Sequence, residues 1–169
     1  VLDPKREDCN YPFDELSGCG VGFKLLQGLC DFNNWNYDKL FELLDFLAIS
    51  IGADIVPVVG ENRILAYHGI KRLNDKPRKA FRELLLLANR PFPVSLTDVV
   101  FTIAPRINAA GRLRSGRFAV DLMISEDIEE IDVLAEEINQ DNSDRRVLDK
   151  EITEDALAII ESDDDFSSK

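Results

Sequence analysis

From Tyr37 onward the apolar residues fall at Leu40, Leu43, Leu44, Leu47 and Ile51, the spacing of a helix. Apolar side chains cover most sides of this segment, which predicts a central helix. Gly52 is expected to end it, as a glycine just past a helix commonly does. Upstream, Val1–Leu2 reads as the end of a strand, and Asp3 to Phe13 as a polar loop with two prolines. Asp14 is the expected N-cap of a helix from Leu16 to Leu29 with a glycine-rich start, broken at Asn33 to Asn36. Downstream, Glu61 to Leu73 repeats the helical pattern, with Ile64, Leu65, Ile70 and Leu73 inward. Pro77 suits the first turn of a helix from Arg78 to Ala88, and Pro91 and Pro93 stop that helix. Ser95 or Thr97 caps a short helix through Ile103, which Pro105 is expected to end. Ser115 caps another through about Ile124.

The segment from Asp127 to Ile160 reads as one long helix. Ile131, Leu134 and Ile138 form one stripe, and Leu148, Ile152, Ala156 and Ile159 resume it. Between them, Gln140 to Arg146 has no apolar residue, as in a solvent-crossing connector between domains. The alternative is two helices with a turn at Asn142-Ser143. No internal repeat is present.

The 169 residues suffice for one domain burying roughly 70% of its unfolded surface. The chain opens on Val1 and stops soon after an acidic run, so both ends read as cut from something longer. Its net charge of −12 is unfavourable for phosphate binding, but the charge is uneven. Residues 1–125 hold 16 Lys and Arg against 15 Asp and Glu, whereas residues 126–165 hold 17 acids and three bases. From Val99 to Val120 there is no acid but there are four arginines: Arg106, Arg112, Arg114 and Arg117. A local field of this kind steers ligands more than the net charge does. Cys9, Cys19 and Cys30 lack zinc spacing and read as reduced thiols, which fits a cytoplasmic protein. No apolar run approaches the ~20 residues of a membrane span.

Chemistry concentrates in two stretches. Asp54 follows the apolar helix within Gly52-Ala53-Asp54-Ile55-Val56-Pro57, ahead of Gly60-Glu61-Asn62-Arg63. A carboxylate there needs a cation, a donor or water. It reads either as a ligand for a hard metal such as Mg²⁺ or Mn²⁺ or as a helix-end cap. Pro105 to Leu113 sets Arg106, Asn108 and Arg112 among the small residues Ala109, Ala110 and Gly111. Guanidinium forks suit phosphate oxygens, and small residues let a ligand approach; pairing with acidic neighbours is the alternative. Ser17 to Lys24 is glycine-rich but lacks the Gly-Lys-Ser/Thr ending of a phosphate loop, so it reads as a tight start to a buried helix. His68 reads as a surface residue and Trp35 as a packing residue.

Together these stretches resemble the RecJ single-stranded-DNA exonucleases of the DHH phosphoesterase superfamily. The matching segments, in order, are Pro4-Lys5-Arg6, Tyr11-Pro12-Phe13, the glycine-rich helix start, Asp54 with Gly60-Glu61-Asn62-Arg63, and Asn108-Ala109-Ala110-Gly111-Arg112. The resemblance implies a mainly α fragment of an α/β DHH domain ending in a long interdomain helix. Residues 1–126 would be the C-terminal part of the catalytic domain. Residues 127–169 would be an acidic connecting helix leading to a DHH-associated domain. The Asp-His-His motif would lie before Val1. The implied activity of the intact protein is metal-dependent 5′→3′ hydrolysis of single-stranded DNA in repair and recombination. Asp54 would be a catalytic metal ligand of a two-metal Mn²⁺ or Mg²⁺ site with most ligands elsewhere. Arg106, Asn108 and Arg112 would line the DNA groove, and Lys24, in the glycine-rich helix start near the active-site face, would be a candidate substrate contact. Other readings are a DHH phosphodiesterase acting on short oligonucleotides or cyclic dinucleotides, and a non-catalytic DHH-like scaffold.

Overall fold

The computed structural model describes residues 2–162. The strand end expected at Val1–Leu2 and the acids at 163–165 fall partly or wholly outside them. Among the described residues there are only helices: α1 (Gly18–Asn33), α2 (Asp38–Phe41), α3 (Leu44–Ala53), α4 (Gly60–Asp75), α5 (Lys79–Leu87), α6 (Leu96–Leu113), α7 (Gly116–Ile124) and α8 (Ile128–Ser162). The mainly helical expectation holds. No helix among them is long and apolar enough to cross a membrane.

The central helix is α3, and it divides two cores. Leu47 and Ile51 pack with Leu16 and Phe23 of the α1 region, Leu40 of α2, and Leu65 and Ala66 of α4. Ile49 joins the larger core of Phe81, Leu84, Val99, Ile103, Leu122, Ile131 and Ile138 from α5 to α8. The helix lies between α4 and α6 because its neighbours are small where they cross. A Cβ on Gly69 of α4 would press into the Leu44 carbonyl and lie 2.8 Å from the Ala48 Cβ. Gly52 is a second such point, where a Cβ would come within 3.3 Å of Val99 on α6. Gly52 therefore does not terminate α3: it is buried within the helix, and Asp54 is the C-cap.

Other boundaries differ from the sequence reading for local reasons. The Ser17 hydroxyl, rather than Asp14, caps α1 by accepting from the Gly20 N–H at 3.2 Å. Glu42 and Leu43 separate α2 from α3 where one helix was expected. Ile64 is exposed, and Asn62 takes an inward position on the α4 face. Trp35 is 59% exposed, so it is not a packing residue among the described residues. Most consequential is Pro105, which lies inside α6 rather than ending it. Ser95 and Asp98 start that helix with a reciprocal capping box, and buried Val99, Ile103, Ala104, Ala109 and Ala110 hold it on both sides of the proline. Tertiary burial thus outweighs the roughly 3 kcal/mol penalty of an interior proline.

The long helix forms without a break at Asn142-Ser143. Its central segment is not solvated all round. Asp141 and Asn142 are buried, whereas every residue from Arg146 to Ser162 is exposed. Arg114 holds Asp141 at 2.8 Å, also pairs with Glu137, and stacks over Phe118.

The α3–α4 crossing makes two glycines behave oppositely. Gly69→Ala is expected to lose about 1–3 kcal/mol of stability through overpacking. Gly28→Ala, on an exposed position of α1 with open space around it, is expected to gain up to about 1 kcal/mol. Thermal melts of the two variants check the contrast.

Candidate nucleic-acid and metal site

Asp54 ends α3 at an exposed position, where the unpaired carbonyls of the last turn add partial negative charge. Its Oδ2 accepts from the Ser50 hydroxyl at 3.1 Å, and no cation pairs with it among the described residues. The buried carboxylate of this helix is instead Asp45, which Arg78 contacts at 2.9 Å. Burial pushes the Asp45 carboxyl above its ordinary range, with Arg78 opposing the shift. Asp54 is thus free for an outside cation, while Asp45 is committed within the fold. Burial, and then the nearby Asp54 charge, push the Cys19 thiol up.

The loop after Asp54 is held by the Gly60-Glu61-Asn62-Arg63 stretch. Asn62 is fully buried and donates to the carbonyls of Glu15 at 2.6 Å and Pro57 at 3.0 Å. One amide therefore ties the loop to the start of α1. Glu61 accepts from the Tyr11 hydroxyl at 2.9 Å and pairs with Lys24 at 3.1 Å. Burial and then the Glu61 hydrogen bond push the Tyr11 phenol up. Lys24 is therefore engaged inside the fold. Gly60 has φ of +49°, and a Cβ there would meet the Phe13 ring at 2.8 Å. Ile55, next to Asp54, also has a left-handed φ of 55°, a strained conformation for a β-branched residue.

Continuing α6 through Pro105 decides where the polar trio points. Asn108 and Arg112 are one turn apart on one face. Asn108 lines the same groove as Asp54, a space of about 640 Å³ floored by α1, α3 and α6. Asn108 and Arg112 also line an adjoining cleft of about 170 Å³ beside Ile55. Arg106 lies on another face of α6. Its Nε donates to the Asn139 carboxamide at 3.0 Å and its Nη1 to the Thr102 carbonyl at 2.7 Å. Burial, and then the charge of Arg146, push the Arg106 guanidinium below its ordinary value. The fold therefore brings Asp54, Asn108 and Arg112 together and turns Arg106 toward α8. Ala109 and Ala110 are fully buried and serve packing, while Gly111 faces open space.

Among the described residues no three of His, Cys, Asp and Glu gather closely enough to hold a metal ion. Asp54 has the chemistry of one ligand for a hard cation, and a complete site needs further donors.

The chain is similar to several characterised nucleases. The RecJ single-stranded-DNA-specific exonuclease of Bacillus subtilis is 38% identical over 162 residues, covering 95% of this chain and 20% of that protein. That of Escherichia coli is 36% identical over 172 residues, covering 95% of this chain and 30% of that protein. The crystal structure of Thermus thermophilus RecJ in complex with Mg²⁺ superposes with a TM-score of 0.77 at 29% identity, covering 88% of this chain and 23% of that one. A structure of the exonuclease RecJ bound to manganese gives a TM-score of 0.78, covering 38% of its chain. No protein-family model matches the chain. The chain is similar to the RecJ exonucleases along nearly its whole length. It spans between 20% and 30% of the length of these curated relatives.

The Asn62 anchor makes a clear prediction. Asn62→Ala should cost roughly 1–3 kcal/mol, because two carbonyls lose their donor. Asn62→Asp should cost at least as much at neutral pH, since a carboxylate would face those carbonyls. Denaturant melts at pH 7 test both, and wild-type stability in either would show that the loop does not depend on this amide.

Proposed function

We propose that this chain is the helical portion of a longer metal-dependent exonuclease that degrades single-stranded DNA in the 5′→3′ direction, within the cytoplasm, during repair and recombination. The observation that carries this reading is the meeting of Asp54 and Asn108 in one groove with Arg112 in the adjoining cleft. The names of the relatives and the Mg²⁺ and Mn²⁺ of the solved structures support it. In this reading residues 1–126 complete a catalytic domain and residues 127–169 lead toward another.

Asp54 would hold one of two Mn²⁺ or Mg²⁺ ions, with the other ligands contributed from outside this segment. When bound, the metals polarise the scissile phosphate and supply the attacking hydroxide. The chain's own residues position. Ser50 fixes one oxygen of Asp54 and leaves the other free to ligate. Asn108 faces the same groove, and Arg112 grips a phosphate with its planar fork. Such contacts give affinity without reading sequence, as an exonuclease requires. Arg106 contributes by fastening α6 to α8.

Two experiments on the full-length protein test this reading. Asp54→Asn should weaken Mn²⁺ binding, measured by electron paramagnetic resonance, by more than the ~10–100-fold that loss of an outer-sphere partner costs. Nucleotide release should fall by orders of magnitude with the melting temperature unchanged; wild-type Mn²⁺ affinity would exclude Asp54 as a ligand. Arg112→Ala should lower the salt slope of single-stranded DNA binding by about 0.7. Arg106→Ala should instead lower the melting temperature and leave the slope unchanged. A slope that responds to Arg106 and not to Arg112 would reverse the assignment.

A further inference from the structure

The core-facing stripe of α8 changes character where it passes the Asp54 end of α3. Ile131, Ala135 and Ile138 are buried against the body, but the next positions of the stripe are Asn142 and Arg145. A stripe facing the interior ordinarily stays apolar, because a buried polar group without a partner is costly. Asn142 is 6% exposed and its Oδ1 accepts no hydrogen bond; the Arg145 Nε is also buried and has no partner. The Arg145 side chain lines the cleft of Asn108 and Arg112 from the opposite helix. Among the described residues its carboxylate neighbour is Asp149, one turn along the same helix at 3.6 Å and itself largely exposed. Such a pair contributes little.

Two neighbouring arginines are engaged within the fold: Arg114 is held by Glu137 and Asp141, and Arg106 by Asn139 and Thr102. Arg117 is exposed and lies outside the cleft. Of the arginines on α6 and α8, Arg112 and Arg145 line one small cleft from the two helices, and Arg146 does not enter it. Two guanidinium groups lining one cleft offer donors and positive charge to an anion between them.

We propose that Arg145 is a second phosphate anchor, which with Arg112 and Asn108 forms a clamp built jointly by α6 and α8 around a phosphodiester group of the bound strand. The proposal rests on reading the Asp54 groove as a phosphodiester site and adds the long helix to its walls. Arg145 would be a positioning residue, acting on the strand beside the reacting bond.

The test uses the full-length protein without divalent metal and a fluorescent oligothymidylate, with affinity measured across a salt series beside a melting curve. Arg145→Ala should reduce the salt slope by about 0.7, and the Arg112→Ala, Arg145→Ala pair by about 1.4. Arg145→Lys should keep most of the slope at reduced affinity, since it retains the charge without the fork. Asp149→Ala should leave the slope as in the wild type. Should Arg145→Ala fail to fold, Arg145→Gln is measured in its place with the same expectation. A wild-type slope in the Arg145 variants beside a reduced slope in Arg112→Ala would overturn the clamp and leave the proposed site standing. Wild-type slopes in all of them would overturn both. A lowered melting temperature shared by Arg145→Ala and Asp149→Ala, without a change in slope, would make Arg145 a helix-pairing residue and overturn the clamp.

Discussion

Everything in this structure depends on the tight seating of α3 between α4 and α6. A mostly apolar helix can be covered on several sides only if its neighbours come close, and Gly69, Ala48 and Gly52 remove the side-chain bulk that would prevent this. The seating fixes the end of α3, and so it fixes where Asp54 emerges. It also sets α6 against α3 in a phase that directs Asn108 into the Asp54 groove. The site is therefore a consequence of backbone proximity more than of side-chain attraction.

The polar groups around the site divide into those that build it and those left for a ligand. Asp45, Arg78, Glu61, Lys24 and Asn62 find partners within the fold. Asp54 and Arg112 do not pair with an opposite charge among the described residues, yet they lie close to the same groove system. Both are exposed, so water satisfies them in the free protein, and the strained backbone at Ile55 lies beside them.

The elements were largely legible in the sequence because the apolar periodicity is strong, and α8 emerged close to its expected length. The two most consequential misreadings share one cause: a local rule was overruled by burial. Pro105 reads as a stop, but five buried residues carry α6 across it. Gly52 reads as a helix end, but it serves a crossing that involves Val99, distant in sequence. The site was legible as a set of residues and not as an arrangement. With Pro105 taken as a terminus, the helical phase that joins Asn108 to Arg112 and turns Arg106 away was hidden. Asn62 and Arg145 were missed, although both leave a signal. Each is a polar residue at an inward position of an otherwise apolar stripe, beside Leu65, Ala66 and Leu73 in one case and after Ile138 in the other.

The length of α8 carries a mechanical consequence. At a rise of about 1.5 Å per residue, its 35 residues span roughly 52 Å, and the exposed stretch after Arg146 extends about 24 Å beyond the body. Asp141, clasped by Arg114, sits near the point where the exposed stretch leaves the body. A tilt of about 5° about the Asp141 position would move Ser162, roughly 32 Å away, by roughly 3 Å, and groups beside Asp141 by only tenths of an ångström. A displacement at the far end of α8 would thus reach the cleft much reduced.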